Sequence, residues 1–391
     1  THPPLPPQFE PLGWTPRQLR QADPAQRRQL IREVQARGVE LGSWIVKQIV
    51  TSPNPLLERI SSFWRDHFVV SVQSFNLIPL IADYEQRLRL HALGNFQELL
   101  WSVTTSPAML LYLNNQQNQG GQINENYSRE LMELFTIGRG AYTESDVQEG
   151  ARALTGWTIQ PGELFLRGHV ASRFVPRRHD SGAKTFLGYE GNLKAEDVVE
   201  ILAQHPDTAR QISTQLWSEL AYPDPEPEVI QDLAAVFTQS QQDIAVLVAA
   251  IFEHPQFYSV QAYRSRIKSP QYFLVGAIRQ LQLSADYPQA LQHLQAMGQP
   301  LYRAPSVKGW PQQEGWLDSV ALLTRLDLAE QLTRGDSDVG GYRFDPDPYS
   351  SSDLAMLLLD GDLPAPLQAS PLGSLEDTAA LLLASPTYQL A

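Results

Sequence analysis

The chain contains no cysteine. Disulfides, thiolate metal sites and cysteine nucleophiles are therefore excluded, while the compartment stays open. No apolar run approaches the ~20 residues that a membrane-spanning helix needs. Basic residues are outnumbered, 30 against 43 acidic, and the net charge is −13. Binding a phosphate backbone needs a concentrated basic surface, so no nucleic-acid partner is expected. Several catalytic signatures are missing too. There is no GxSxG elbow, no HExxH helix, no phosphate loop and no GxGxxG turn. A Ser–His–Asp hydrolase cannot be argued from spacing.

What is present is ample for a large core. The 391 residues are 42% hydrophobic and 19% charged, an ordinary globular balance. Residues 1–15 (THPPLPPQFEPLGWT) are proline-rich and read as an extended arm, because proline lacks the helix donor. Residues 16–391 read as a single large helical domain, with a softer boundary in the Pro/Asp/Glu-rich 222–228 segment. Helix–proline junctions recur, as in IFEHPQFY and LLLASPTY. Proline disfavours helix just before it and starts the next one well, so these are corners between helices. His205 and His254 fall at such corners and are expected to be structural. Residues 157–188 break the helical period with alternating and aromatic residues. They predict a small β-hairpin or flap, with strands at 158–159, 165–167, 173–175 and 185–187. The fold class is mainly α, a large multi-helix globule with this one β insertion.

Residues 124–157, NENYSRELMELFTIGRGAYTESDVQEGARALTGW, form the most densely specified stretch. Tyr127, Leu131, Leu134 and Phe135 recur at helical spacing. Asn124 or Asn126 is a candidate cap. Gly138 and Gly140 stop the helix, and Thr143 with Asp146 resembles a capping box for the next. A paired arrangement of the two helices would gather Arg129, Glu130, Glu133 and Arg152.

This stretch resembles the signature of the bacterial domain of unknown function 1800 (DUF1800) family. Other stretches agree in order: FWRDHFVVS (63–71), SPAMLLYLNN (106–115), HDSGAKTFLG (179–188), HPDTARQISTQLW (205–217), IKSPQYFLVGAIR (267–279) and MGQPLYRAPSVKGWPQQEGWL (297–317). The resemblance covers about residues 55–390 and brings no assigned activity. It implies an exported protein, periplasmic or extracellular, whose signal peptide is not in this chain. The family pattern FWHNHF is met here by FWRDHF, with Arg65 and Asp66 ahead of His67. A two-histidine metal clamp is therefore not available.

The polar residues in the matched motifs are the candidate site. His67 lies in line with a core stripe, as a core histidine or as a ligand in an interior pocket. His179 and Asp180 precede a Ser–Gly turn, as a general base with its carboxylate or as a turn stabiliser. Lys184 is placed to hold an anionic group. Trp310 and Trp316 offer a sugar platform or a plug for a long loop. Two chemistries suit the set. One is a divalent-metal site with His67, Glu130 and His179 as ligands. The other is metal-free acid/base hydrolysis by His67, Glu130, Glu133, His179 and Asp180 on a glycan or ester, with Arg129, Lys184, Trp310 and Trp316 holding the substrate. A non-catalytic surface protein that binds a polysaccharide or a protein partner is the alternative.

Overall fold

The computed structural model describes residues 3–10, 18, 21–71, 78–159, 171–334, 341–363 and 373–391. Among these residues there are sixteen α-helices and three two-stranded antiparallel sheets. The chain divides into two compact units: Thr1–Leu41, Asn54–Phe257 and Pro305–Gly309, and Gly42–Pro53, Tyr258–Ala304 and Trp310–Ala391. Helix α1 (Pro24–Thr51) runs from the first into the second. The 222–228 segment lies inside the first unit. No helix among the described residues is long and apolar enough to cross a membrane.

In the first unit, α2 (Pro55–His67) begins at Asn54, whose side chain accepts from Leu57 N, with proline at the first helical position. It pairs with α3 (Ile78–His91) and places charges inside. Arg65 grips Glu85 with two bonds, Nε to Oε2 at 3.0 Å and Nη2 to Oε1 at 2.8 Å. Arg89 grips Glu58 in the same forked manner, with Nη2 to Oε1 at 2.7 Å. All four side chains are at most 5% exposed. Planar guanidinium matches carboxylate geometry, so such pairs satisfy one another away from water. Beside them Trp64 donates to Ala92 O at 2.9 Å and Tyr84 to Phe68 O at 2.6 Å. The FWRDHF motif is thus a packing element whose Arg65 is a structural cation.

Helices α4 (Phe96–Thr104) and α5 (Pro107–Tyr112) lead to the central pair. Helix α6 (Asn126–Glu133) has no side-chain cap on its N-cap residue, Glu125, although Asn124 accepts from Asn126 N at 3.1 Å. It ends at Glu133, ahead of Gly138 and Gly140, both at positive φ. Helix α7 (Glu144–Ala153) starts with the expected reciprocal box of Thr143 and Asp146. The flap consists of two hairpins: β1 (Trp157–Ile159) with β2 (Ser172–Phe174), and β3 (Lys184–Phe186) with β4 (Tyr189–Gly191). The expected strand at 165–167 lies outside the described residues. Four helices complete the unit: α8 (Ala195–Gln204), α9 (Pro206–Leu220), α10 (Pro227–Gln239) and α11 (Ile244–Glu253). His205 and His254 do stand at helix–proline corners. Each uses Nδ1 to accept a backbone N–H two residues on, both at 3.2 Å.

The second unit has its own core. Helices α12 (Pro270–Gln280), α13 (Tyr287–Ala296), α14 (Ser319–Arg334), α15 (Ser351–Leu359) and α16 (Leu375–Ala384) enclose Phe273, Ile278, Leu294, Leu332 and Leu383. Each such side chain stabilises by roughly 1.5–3 kcal/mol when fully buried. Strands β5 (Ser284–Ala285) and β6 (Tyr342–Arg343) pair antiparallel beside it.

The buried ion pairs make a direct prediction. Glu85→Ala removes the carboxylate that Arg65 grips, and it should cost about 3–5 kcal/mol, because a buried guanidinium is left short of charge compensation. Denaturant unfolding of purified variant and wild type measures it; a loss below about 1 kcal/mol would contradict the role given to the network.

Candidate functional site: a polar cleft

The first unit carries a cleft of about 610 Å³. One wall is α9. Its Asp207, Arg210, Gln211, Thr214 and Gln215 line the space, at the three- and four-residue spacing that puts side chains on one helical face. The opposite face of α9 buries Ile212, Leu216 and Trp217. The facing wall is the end of α6 and the turn after it: Glu133, Leu134, Ile137, Gly138 and Arg139, with Lys308 at the edge. None of the lining residues is aromatic.

Close approach of the walls depends on glycine. Gly138 has φ +77°, and a Cβ there would stand 2.3 Å from Gln211 Oε1. Gln211 Nε2 donates to Leu134 O at 3.2 Å. Gly309 does the same for the segment that carries Lys308: it has φ +85°, and a Cβ would stand 2.9 Å from the Asp66 carbonyl oxygen.

The charges around the cleft are unevenly committed. Glu133 is bound by Arg139 Nε at 2.6 Å and by the Tyr142 hydroxyl at 3.1 Å. The Arg139 bond, more than any other influence, holds its carboxyl below the usual range. Glu130, one turn away, is half-buried, and its carboxylate has no hydrogen-bond or ion-pair partner among the described residues. Burial, then the charge of Glu133, pushes it up, while Arg129, Lys308 and Arg139 pull it down. Arg210 pairs with Asp207. Gln215 lines the cleft and its side chain also faces His67.

Other expected site residues have separate jobs. His67 Nε2 lies 3.1 Å from Phe135 O, and its ring packs among Phe63, Trp64, Phe68 and Phe135. Burial depresses it to about 4, against the opposing effect of the Phe135 carbonyl and the Gln215 side chain. Its neighbour Asp66 is pushed up to about 7, mainly by burial and with help from Glu219, against the pull of Arg65. Arg129 pairs with Glu144 at 2.8 Å and with Glu125 at 3.4 Å. Arg152 pairs with Glu149 and with Asp180, both at 2.8 Å. Of the expected gathering, Arg129, Glu133 and Arg152 are divided among local pairs, and Glu130 belongs to none of them.

His179 Nδ1 meets Thr155 Oγ1 and Thr155 O, each at 3.1 Å. Asp180 accepts from Gly182 N at 2.9 Å, which is the turn-stabilising reading of the pair. The Arg152 bond holds its carboxyl down at about 2. Lys184 is buried, and its Nζ donates to Asp180 O at 2.6 Å and Gly182 O at 3.0 Å. Burial lowers it. Such a lysine ties a turn together. Trp310 and Trp316 belong to the second unit. Their rings are tilted 35° at 6.5 Å, and Trp316 is 4% exposed, a plug geometry that offers little ring face.

Among the described residues no three His, Cys, Asp or Glu side chains are grouped to hold a metal ion, so His67, Glu130 and His179 do not form a shared ligand set. Sequence reasoning passed over Arg139, Asp207, Arg210, Gln211, Thr214, Gln215 and Lys308. The signal for most of them was present in HPDTARQISTQLW, where polar residues recur at helical spacing opposite Ile212 and Leu216.

The fold is thus a mainly helical one with hairpin insertions, bearing an open polar cleft without aromatic lining. A family model described as "Protein of unknown function (DUF1800)" matches residues 6–390, and the chain belongs to that family. No curated protein and no solved structure matches it.

Asp66 and His67 give opposed pH effects. His67, depressed from 6.5 to about 4, contributes stability that is present above 6.5 and lost as pH falls toward 4. Asp66, raised from 3.8 to about 7, contributes stability that is present below 3.8 and lost as pH rises toward 7. Wild type should therefore change little through these two groups between pH 4 and 7. Asp66→Asn should make stability fall on acidification across that window, and His67→Gln should make it fall on alkalinisation. Thermal melts at several pH values check both slopes; unchanged slopes would contradict the assignment.

Proposed function

We propose that the first unit binds a hydroxyl-rich polar ligand, of saccharide type, in the cleft between α9 and the end of α6. The observation that carries this reading is the polar face of α9, Asp207, Arg210, Gln211, Thr214 and Gln215, turned toward Glu133, Arg139 and Lys308 across open space. A helix that buries one face normally gives the other to bulk solvent. Here the second face forms a wall of the cleft, and its amide and hydroxyl side chains offer hydrogen-bond donors and acceptors to a ligand. Charges of both signs line the cleft, which disfavours a phosphate backbone and suits a ligand read by hydrogen bonds. Without aromatic lining, sugar rings are met edge-on and not stacked. Periplasmic or cell-surface glycans fit the exported location that the family resemblance implies, and that location is part of the proposal.

A second reading rests on a different observation. Glu130 and Glu133 lie three residues apart, one carboxyl held up and one held down. Environments that push a carboxylate pair apart define a proton donor and an anionic partner. Metal-free acid/base hydrolysis is the activity this pair supports, with Glu133 lining the cleft and Glu130, one helical turn from it and outside the lining, as donor.

A glycan array probed with the purified protein tests the binding. Wild type should bind a discrete class of glycans, and Arg210→Ala with Lys308→Ala should weaken that binding roughly tenfold, as the loss of about 1.4 kcal/mol of polar contacts implies. No binding by wild type, or equal binding by the double variant, would sink the proposal. For the second reading, incubation of the bound glycan with wild type should release product and Glu130→Gln should not. Intact glycan with both proteins would leave binding alone.

A further inference from the structure

The cleft between α9 and the end of α6 is charged differently from the chain that carries it. The chain is acidic, with a net charge of −13. The cleft is lined by three cations, Arg139, Arg210 and Lys308, against two carboxylates, Glu133 and Asp207. Its lining therefore carries one positive charge in excess. The ion pairs show which side chain holds it. Arg139 gives its Nε to Glu133 Oε1 at 2.6 Å. Arg210 pairs with Asp207, three residues before it on α9. Those two pairs balance within the walls, and Lys308 is left over.

Lys308 is exposed, and among the described residues its ammonium takes part in no ion pair and no hydrogen bond. Glu130, one helical turn from Glu133 and outside the lining, is not paired with it either. The root of this lysine is held in place. Its backbone N–H donates to Ser306 Oγ at 3.2 Å, and Gly309 N–H closes the turn on Ser306 O at 3.1 Å. Gly309 lies against the end of α2, where a Cβ would stand 2.9 Å from the Asp66 carbonyl oxygen. A hydrogen-bonded turn packed on a helix presents its side chains from a fixed point. The free ammonium is thus carried at the edge of a polar space whose other charges are already matched.

We infer that the cleft selects an acidic saccharide, one whose bound sugar carries a single negative charge, a uronate carboxylate or a sulfate ester, and that Lys308 meets that charge. The inference rests on the saccharide reading above and adds the charge of the ligand to it. One uncommitted cation matches one negative charge. A phosphate ester carries close to two at neutral pH and would be only half compensated. A densely charged polymer would meet the repulsion of an acidic surface. An ammonium is a point charge without the planar fork of arginine, so it holds a carboxylate or a sulfate without demanding a bidentate approach. A neutral sugar would use the amide and hydroxyl groups of α9 and leave Lys308 to water.

Matched pairs on the glycan array test it with the full chain. Each glycan that carries one glucuronate is printed beside its carboxyl-reduced form, and each that carries one sulfated galactose beside its desulfated form. Wild type should hold the charged member of at least one kind of pair roughly threefold to fivefold more tightly, the range of an exposed ion pair. The kind of pair that discriminates tells carboxylate from sulfate. Lys308→Gln should abolish the preference, and Lys308→Arg, which keeps the charge, should preserve it. A general loss of fold would weaken both members and leave their ratio alone. Equal binding of both members by wild type, or a preference that survives Lys308→Gln, overturns this inference and leaves saccharide binding standing. No binding of any glycan by wild type removes the saccharide reading and this inference together.

Discussion

Two guanidinium groups and two carboxylates that cannot stand unpaired away from water fix how α2 and α3 meet. Arg65 with Glu85 and Arg89 with Glu58 are almost wholly buried, and each pair needs near-ideal geometry to offset its desolvation. That requirement sets the register of the helices. It places the last turn of α2, with Asp66 and His67, against the turn that follows α6. His67 then meets the Phe135 carbonyl, and the Asp66 carbonyl packs on Gly309. The facing wall of the cleft stands on this foundation, so the site depends on charges that never touch a ligand.

Most of the conspicuous polar residues in the matched motifs serve local structure. Asp180, Arg152 and Glu149 lock the β3 hairpin to α7, and Lys184 closes the turn beneath it. Arg129 joins the two central helices through Glu144. Polar groups in a fold this rich in corners must find partners or be lost to desolvation, and short-range pairing is the cheapest solution. What remains for a ligand is the set that lines the cleft: the α9 stripe, Lys308 and Glu133.

The helical class, the corners at His205 and His254, the capping box at Thr143 and the hairpin character of the flap were legible from local pattern. Caps and prolines act over three or four residues, so the sequence displays them directly. The partners of Arg65, His67 and Lys308 were not legible. Glu85 is 20 residues from Arg65, and Lys308 comes back to the first unit after a long excursion. Such contacts are set by packing between helices, which no local spacing encodes. The α9 stripe was visible in HPDTARQISTQLW but read as one more amphipathic helix, since a polar face usually meets only solvent. The metal set of His67, Glu130 and His179 failed for a similar reason: motif membership says nothing about where a side chain points, and His67 points at a backbone carbonyl.

The absence of cysteine makes the central claim, that the cleft is the ligand site, open to a clean measurement. Thr214→Cys places the sole thiol of the chain on the cleft wall, and a bulky maleimide then fills the space. A second single-cysteine protein, Glu376→Cys, carries the same label in the other unit. Binding of both labelled proteins to the glycans that wild type retains is compared. The account predicts that the label at position 214 abolishes binding and the label at position 376 leaves it intact. Full binding with the cleft filled would contradict it.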